Sequence, residues 1–245
     1  MHPASVVAEA RALASSGLNP TDIARKLGIP RETIRGWLTG PTPRRIHFGT
    51  CSVCGQRHDF ASLPEAYVYL LGLYLGDGCI SRHPRNVHRL RIVLDLRYPG
   101  IIDSTARAIH EIRDGKALVQ RRADNCAEVS AYWRCWPCLF PQHGPGKKHE
   151  REIALTDWQL GLVDRWPQQL LRGLIQSDGC RFENTGRNWS WPRYSFENRS
   201  DGIRAIFCQG CDLLGLRWTA SGKYKIYVSR KADVAVLDSF IGPKQ

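Results

Sequence analysis

The chain writes one unusual phrase twice: "YLLGLYLGDGC" runs up to Cys79 and "QLLRGLIQSDGC" up to Cys180. Each sets an apolar helical run ahead of a lone aspartate and a glycine, Asp77-Gly78 and Asp178-Gly179. Small residues recur four apart within the runs, Gly72 with Gly76 and Gly173 with Ser177, so each helix carries a bare stripe on one face. Two bare stripes can pack backbone on backbone, closer than leucine on leucine allows. Such a contact brings Asp77 and Asp178 together, although the C-terminal end of a helix is partially negative and adjacent carboxylates repel. Something positive must sit between them. Carboxylate oxygens favour a hard divalent ion, and Mg2+ (or Mn2+) completes its shell with water and phosphate oxygen. An ion so placed can polarise a phosphoryl group and activate water.

A chain of 245 residues has room for one large domain or several small ones. Its formal charge is +12, with 35 Lys and Arg against 23 Asp and Glu. That balance suits a polyanion, nucleic acid first among them. Most of the cations are arginine, whose planar fork pairs bidentately with phosphate and guanine edges. The longest apolar run, "AYVYLLGLYLG", is too short to span a bilayer, and Glu9 and Arg11 interrupt any signal-peptide core. The expected location is cytoplasmic, or nucleoid-associated in a bacterium, and the nine cysteines are then reduced thiols or metal ligands. No Ser-His-Asp order, phosphate-cradling loop or dinucleotide fingerprint points to another enzyme class.

Residues 1–40 read as a helix-turn-helix domain. A first helix carries Val6, Val7, Ala10, Leu13 and Ala14 at helical spacing and closes at Gly17. Thr21 is expected to cap "DIARKL", "GIP" makes the turn, and "RETIRGWL" forms a third helix with Ile34, Trp37 and Leu38 on one face. Ile23, Ala24, Gly28, Ile29 and Ile34 have the spacing that locks such a pair. Arg31, Thr33 and Arg35 then face outward, in reach of base edges, and Arg44 and Arg45 in "PTPRR" form a basic arm.

Residues 41–61 read as a linker holding "CSVCGQRH", where Cys51 and Cys54 have zinc-knuckle spacing. One pair cannot fill a tetrahedral site. Cys135 and Cys138 in "CWPC" are the expected partners for a structural Zn2+, with His58 and His143 as substitutes. Cys208 and Cys211 share the spacing inside an apolar helix and read as small core residues, and Cys79 and Cys180 as strand starts.

"LLGLYLGDG" at 70–78 and "LRGLIQSDG" at 171–179 resemble the two motifs of a single-chain LAGLIDADG homing endonuclease. The resemblance implies an α+β fold: the helix-turn-helix, then a pseudo-two-fold pair of αββαββα units, 62–150 and 151–245, whose sheets form a DNA-binding saddle. The residues agree. Ser62 and Glu65 have capping-box spacing and start a helix near Leu63. Strands follow at "CISR" and "HRLRIVLDL", a helix from about 101 to 112, then "ALVQRR" and "EVSAYW". After Asp178 come "CRFEN", "RYSFEN", a helix from about 201 to 214, "RWTAS", "KYKIYVS" and a final helix. The halves also close alike, on "HGPGKK" and "IGPK". Alternation of Arg89 and Arg91 with Leu90, Ile92 and Leu94 gives a strand one face to the core and one to phosphate. Arg82, Arg181, Arg193, Lys223 and Arg230 are further DNA-facing candidates, and "NWSWPRY" reads as a DNA-touching loop or a buried tryptophan corner.

The resemblance implies Mg2+-dependent, site-specific cleavage of double-stranded DNA by a monomer, across the minor groove with short 3′ overhangs. Asp77 and Asp178 would hold the metal, with a basic residue assisting where the last strand of each unit meets its final helix. That place falls at Arg230 or Lys231 in the second half, while the first half offers Arg134, with Lys147 and Lys148 more distant. The other reading is a transcriptional regulator on the same scaffold that binds DNA without cutting it.

Overall fold

The computed structural model describes residues 4–38 and 51–244. The chain divides after Thr50 into two compact units. Arg44 and Arg45 lie outside the described residues.

The first unit holds α1 (Ala4–Ser15), α2 (Pro20–Leu27) and α3 (Arg31–Leu38). Ala10, Ile23, Ile29 and Ile34 form its small core, with Leu13, Ala24 and Trp37 packed against it. The cap of α2 is Asn19 rather than Thr21: its Oδ1 accepts from the backbone N–H of Thr21 and Asp22 at 3.0 and 3.1 Å. Pro20, with φ preset for a helix, follows at the first helical position. Gly28 closes α2 at φ +64°, and its N–H bonds the Ala24 carbonyl, so the chain turns sharply into α3.

The second unit repeats one supersecondary pattern. Its first half contains α4 (Glu65–Asp77), β1 (Gly78–His83), β2 (Val87–Asp95), α5 (Pro99–Arg113), β3 (Leu118–Arg121), β4 (Cys126–Trp133) and α6 (Trp136–Leu139). Its second half contains α7 (Asp157–Arg165), α8 (Pro167–Asp178), β5 (Gly179–Gly186), β6 (Trp189–Glu197), α9 (Asp201–Leu213), β7 (Trp218–Ser221), β8 (Lys225–Val228) and α10 (Lys231–Asp238). The two antiparallel sheets run β1-β2-β4-β3 and β5-β6-β8-β7, the same order twice, as the αββαββα reading requires. The Cys51–Cys54 pair belongs to this unit and not to a separate linker.

Alternation decides what each sheet buries. On β2 every second residue is buried, so Leu90, Ile92 and Leu94 face the core with Ala127, Val129 and Ala131 of β4. Tyr194 and Phe196 of β6 do the same with Ile226 and Val228 of β8. Helices α5 and α9 cover these faces through Ile101, Ile109, Ile203 and Phe207. Each such side chain is worth about 1.5–3 kcal/mol when fully buried. The motif helix α4 is buried continuously from Tyr67 to Leu75, since it has neighbours on every side.

Two local expectations are corrected. Ser62 lies in a 3-10 turn and donates to Asp59 Oδ2, so the capping box with Glu65 does not form and α4 starts after Pro64. "NWSWPRY" is neither loop nor buried corner. From Trp189 on it is the outer half of β6, where Trp189 and Trp191 stack at 5.7 Å and remain 43% and 52% exposed, with Asn188 in the preceding turn. Among the described residues no helix is long and apolar enough to cross a membrane.

Candidate active site

The bare stripes meet. A Cβ built on Gly72 would lie 2.6 Å from the Leu170 carbonyl oxygen and 2.8 Å from the Leu174 nitrogen. One built on Gly173 would strike the Tyr69 carbonyl and come within 2.9 Å of Gly72 Cα. Helices α4 and α8 therefore touch through backbone, which only glycine permits at these two positions. Nearer the ends a Cβ on Gly76 would run into Ser177 and reach 3.0 Å from Asp178 Oδ2. Ser177 turns its hydroxyl back onto its own helix, donating to the Gly173 and Leu174 carbonyls at 3.0 Å each. The last residues of the two helices, Asp77 and Asp178, are thereby set beside each other.

Two lysines answer them. Lys148 Nζ donates to the last carbonyls of α4, those of Tyr74, Leu75 and Gly76, the latter two at 3.0 Å. Lys244 Nζ donates to the Ser177 carbonyl near the end of α8 at 3.3 Å. Each thus satisfies orphan carbonyls and offsets the negative pole of its helix. Crowding by protein and then the charge of Asp178 push the Asp77 carboxyl up to about 6, against the pull of Lys148 and Lys244. Asp77 keeps an open surface even so, which a metal ligand needs; protein surrounds it at longer range rather than sealing it. Burial also raises Asp178, opposed by a hydrogen bond from Asn198 and by both lysines. Lys148 is lowered to about 8 by burial, against the attraction of both aspartates. Lys244 is lowered for the same reason.

The acids open onto two cavities that mirror each other. One, of about 260 Å³, is lined by Asp77, Asp95, Arg97, Ser177 and Lys244. The other, of about 360 Å³, is lined by Gly76, Lys148, Asp178, Asn198 and Arg199. Each joins the acid of one half to the closing lysine of the other. A separate cavity lined by Glu65, Tyr69, Arg107 and Arg172 lies at the opposite end of the helix pair, away from the carboxylates.

The cations expected beside the acids lie elsewhere. Lys231 is exposed in the first turn of α10, with Arg230 just before it. Arg134 is exposed next to Cys135, on whose thiol its charge acts. The cations acting on the aspartates, Lys148 and Lys244, stand in the "HGPGKK" and "IGPK" closures; the doubled closure was the signal for them. Asn198 had no such signal, since its partner is 20 residues away in sequence.

Strand alternation also separates the arginines. Arg89 and Arg91 pair with Ser81 and Cys79 on the face away from the helices. Arg89 there bonds Glu128 Oε1 at 2.5 Å and Ser130 Oγ at 3.0 Å. Arg193 pairs with Phe182, and its guanidinium lies 4.1 Å from the Tyr227 ring centroid, so it shares the open face with Trp189 and Trp191. Arg82 and Arg181 are on the other side of their strands. Arg82 pairs with buried His88; Arg181 pairs with buried Tyr194 and grips Asp238 through Nε and Nη2 at 2.7 and 2.9 Å. A single-residue step along a strand reverses its side chain, which is why these two part company with Arg89 and Arg193. Lys223 is exposed before β8, with its ammonium 5.3 Å from the Tyr224 ring. In the first unit Arg31 and Arg35 are exposed on α3 and Thr33 is half-buried. The sulfurs of Cys51, Cys54 and Cys138 gather with His58 into one cluster, while the Cys135 thiol donates to Gln56 Oε1 at 3.0 Å.

No protein-family model matches the chain, and a search of curated proteins gives no match. Among solved structures its likeness is to LAGLIDADG proteins. The homing endonuclease I-WcaI bound to its DNA recognition sequence is 13% identical, with a TM-score of 0.48 over 74% of this chain and 83% of that one. The LAGLIDADG meganuclease I-AabMI bound to uncleaved DNA is 14% identical, with a TM-score of 0.44 over 71% and 82%. The N-terminal LAGLIDADG domain of WhiA is 14% identical, with a TM-score of 0.44 over 76% and 89%.

Proposed function

We propose that the chain binds duplex DNA across the open faces of its two sheets and hydrolyses one phosphodiester bond in each strand. The observation carrying this reading is the pair of mirrored cavities, each joining a motif-helix aspartate to a half-buried lysine. Two carboxylates converging where burial and repulsion disfavour their charge form a hard-oxygen donor set short of positive charge, which fits Mg2+ or Mn2+. When bound, such an ion supplies Lewis-acid polarisation of the phosphate and activation of water.

The chain's own groups do the rest. Asp77 and Asp178 would hold such an ion. Lys148 and Lys244 keep positive charge beside the reacting phosphate, the role expected of Arg134 and Lys231, which are left to contact more distant phosphates with Arg230 and Lys223. Arg89, Arg91 and Arg193 face the duplex. Arg31, Thr33 and Arg35 on α3 read a second stretch of it, and Arg44 and Arg45 add phosphate contacts. Arg181 contributes to folding instead, through Asp238, whereas Arg82, exposed near the end of β1, stays a candidate phosphate contact.

A second reading, a regulator that binds and does not cut, is favoured by the separate helix-turn-helix unit. Incubation of the protein with a plasmid library and Mg2+ or Mn2+ separates the two. Metal-dependent cuts at a discrete site, abolished by Asp77→Asn and by Asp178→Asn, support cleavage. Selection of a long duplex site that all three proteins bind equally and never nick establishes the regulator.

A further inference from the structure

We infer that Cys51, Cys54, His58 and Cys138 form a structural zinc site that clips the start of the second unit onto α6. The four ligand atoms lie within 4.8 Å of one another. Cys51 Sγ stands 3.3 Å from Cys138 Sγ, and Cys54 Sγ stands 3.0 Å from His58 Nε2. A tetrahedron with Zn–S of about 2.3 Å and Zn–N of about 2.0–2.1 Å has edges of roughly 3.5–3.8 Å. The observed separations bracket those edges, so small rotamer adjustments would complete the cage. All four cysteines near it are free thiols.

The segment is built for the task. Cys51 N–H donates to the Gln56 carbonyl at 2.7 Å and Gly55 N–H to the Cys51 carbonyl at 2.8 Å, closing a loop that needs φ +75° at Gly55. Within the loop the backbone N–H groups of Val53 and Cys54 point at the Cys51 sulfur. The His58 ring stacks on Phe60 at 5.1 Å, and Phe60 on Trp158 at 4.3 Å, which fixes the face from which Nε2 meets Cys54. Cys138 is carried by α6, whose Trp136 and Leu139 are buried in the core. Cys135 stands beside Cys54 and donates to Gln56 Oε1, but among the described residues the set whose ligand atoms all lie within 4.8 Å of one another takes His58 as its fourth member.

Residues 51–59 have little else to hold them. Cys54 is the one buried residue among them, and Val53 is 51% exposed. A segment that buries so little apolar surface gains its order from a metal, as small metal-bound modules do. The site has no part in the chemistry at Asp77 and Asp178, so it stands or falls independently of the cleavage reading.

The test is the metal content of the full chain purified without chelator, followed by Co2+ exchange. One zinc per chain is expected, with Co2+ giving a tetrahedral spectrum whose thiolate charge-transfer intensity corresponds to three sulfurs. Cys51→Ser, Cys138→Ser and His58→Ala should each lose the zinc, whereas Cys135→Ser and Cys208→Ser keep it. Should a ligand variant fail to fold, the Co2+ spectra of the wild-type chain and of Cys135→Ser decide the matter: equal intensity supports the assignment. A zinc-free protein whose Co2+ spectrum is not tetrahedral overturns it, as does loss of metal in Cys135→Ser with retention in His58→Ala.

Discussion

Asn198 donates Nδ2–H to Oδ2 of Asp178 at 2.6 Å, while among the described residues no side chain hydrogen-bonds Asp77. The amide is itself held, because its Oδ1 accepts from the Ser200 N–H at 2.8 Å at the start of α9. The two acids are therefore unequal in an otherwise doubled site. Replacing Asn198 by Ala removes a bond that favours the charged form, so the Asp178 carboxyl moves further up. Strand cleavage dependent on Asp178 should then need higher pH, and nicked plasmid should accumulate on the acid side. A pH series of nicking against linearisation checks this; a parallel shift in both steps would count against it.

Asp77 carries a cost to stability. Its folded value of about 6 stands above the ordinary 3.8, so the native state holds the proton more tightly than the unfolded chain. Stability therefore falls as pH rises from 3.8 to 6 and stays reduced above that range. Asp77→Asn should melt higher than the wild type at neutral pH, with the gap closing as pH falls through that window. Thermal unfolding across the pH range without divalent metal tests it, and a gap that does not depend on pH refutes the linkage.

On the cleavage reading, Lys148 should set the alkaline side of activity. Its ammonium loses its proton as pH rises through about 8, removing positive charge from the Asp178 cavity and from the end of α4. Cleavage should decline above that pH in the wild type, and Lys148→Arg, whose charge persists, should extend the plateau. The measurement is the single-turnover rate against pH for both proteins; identical alkaline limbs would assign the fall to another group.

The helix contact admits a reciprocal test. Gly76→Ala drives a methyl into the Ser177 side chain and should cost about 1–3 kcal/mol of stability, the usual range for overpacking. Ser177→Gly should recover most of that loss in the double variant, since the clash is with a side chain. Gly72→Ala meets backbone of α8 and should not be rescued by any side-chain change there. Chemical denaturation of the set decides it.

The fold was legible because both of its determinants are local or repeated. A period of two on β2 and the twice-written helix phrase identify a half, and the second copy identifies its partner. The convergence of Asp77 and Asp178 was legible for the same reason. What sequence reading misplaced depends on distances along the chain. Lys148 reaches Tyr74 from 74 residues away and Lys244 reaches Ser177 from 67, so neither advertises its target. Arg181 and Arg193 look alike in composition and differ only in strand parity, which the hairpin register fixes. Asn19 displaced Thr21 as the cap because Pro20 opens α2 and puts Thr21 inside it, where the Thr21 and Asp22 amides both reach Asn19 Oδ1. That His58 rather than Cys135 joins Cys51, Cys54 and Cys138 within 4.8 Å is set by packing across the chain, including a Cys135–Gln56 contact spanning 79 residues.

That parity supplies the last prediction. Arg193 lies on the open face, over Tyr227 and in line with Trp191, so its charge is available to a phosphate. Arg193→Ala should weaken binding across DNA sequences and lower the salt slope by about one. Arg181 faces the helices, where its fork closes on Asp238, and Asp238 in turn accepts from the Tyr194 hydroxyl at 2.6 Å. Arg181→Ala strands a half-buried carboxylate and should cost about 1–3 kcal/mol of stability, leaving the salt slope intact. Binding isotherms at several salt concentrations, run beside denaturation of the same two variants, separate the roles. A salt slope that falls in Arg181→Ala and holds in Arg193→Ala would reverse the assignment of faces.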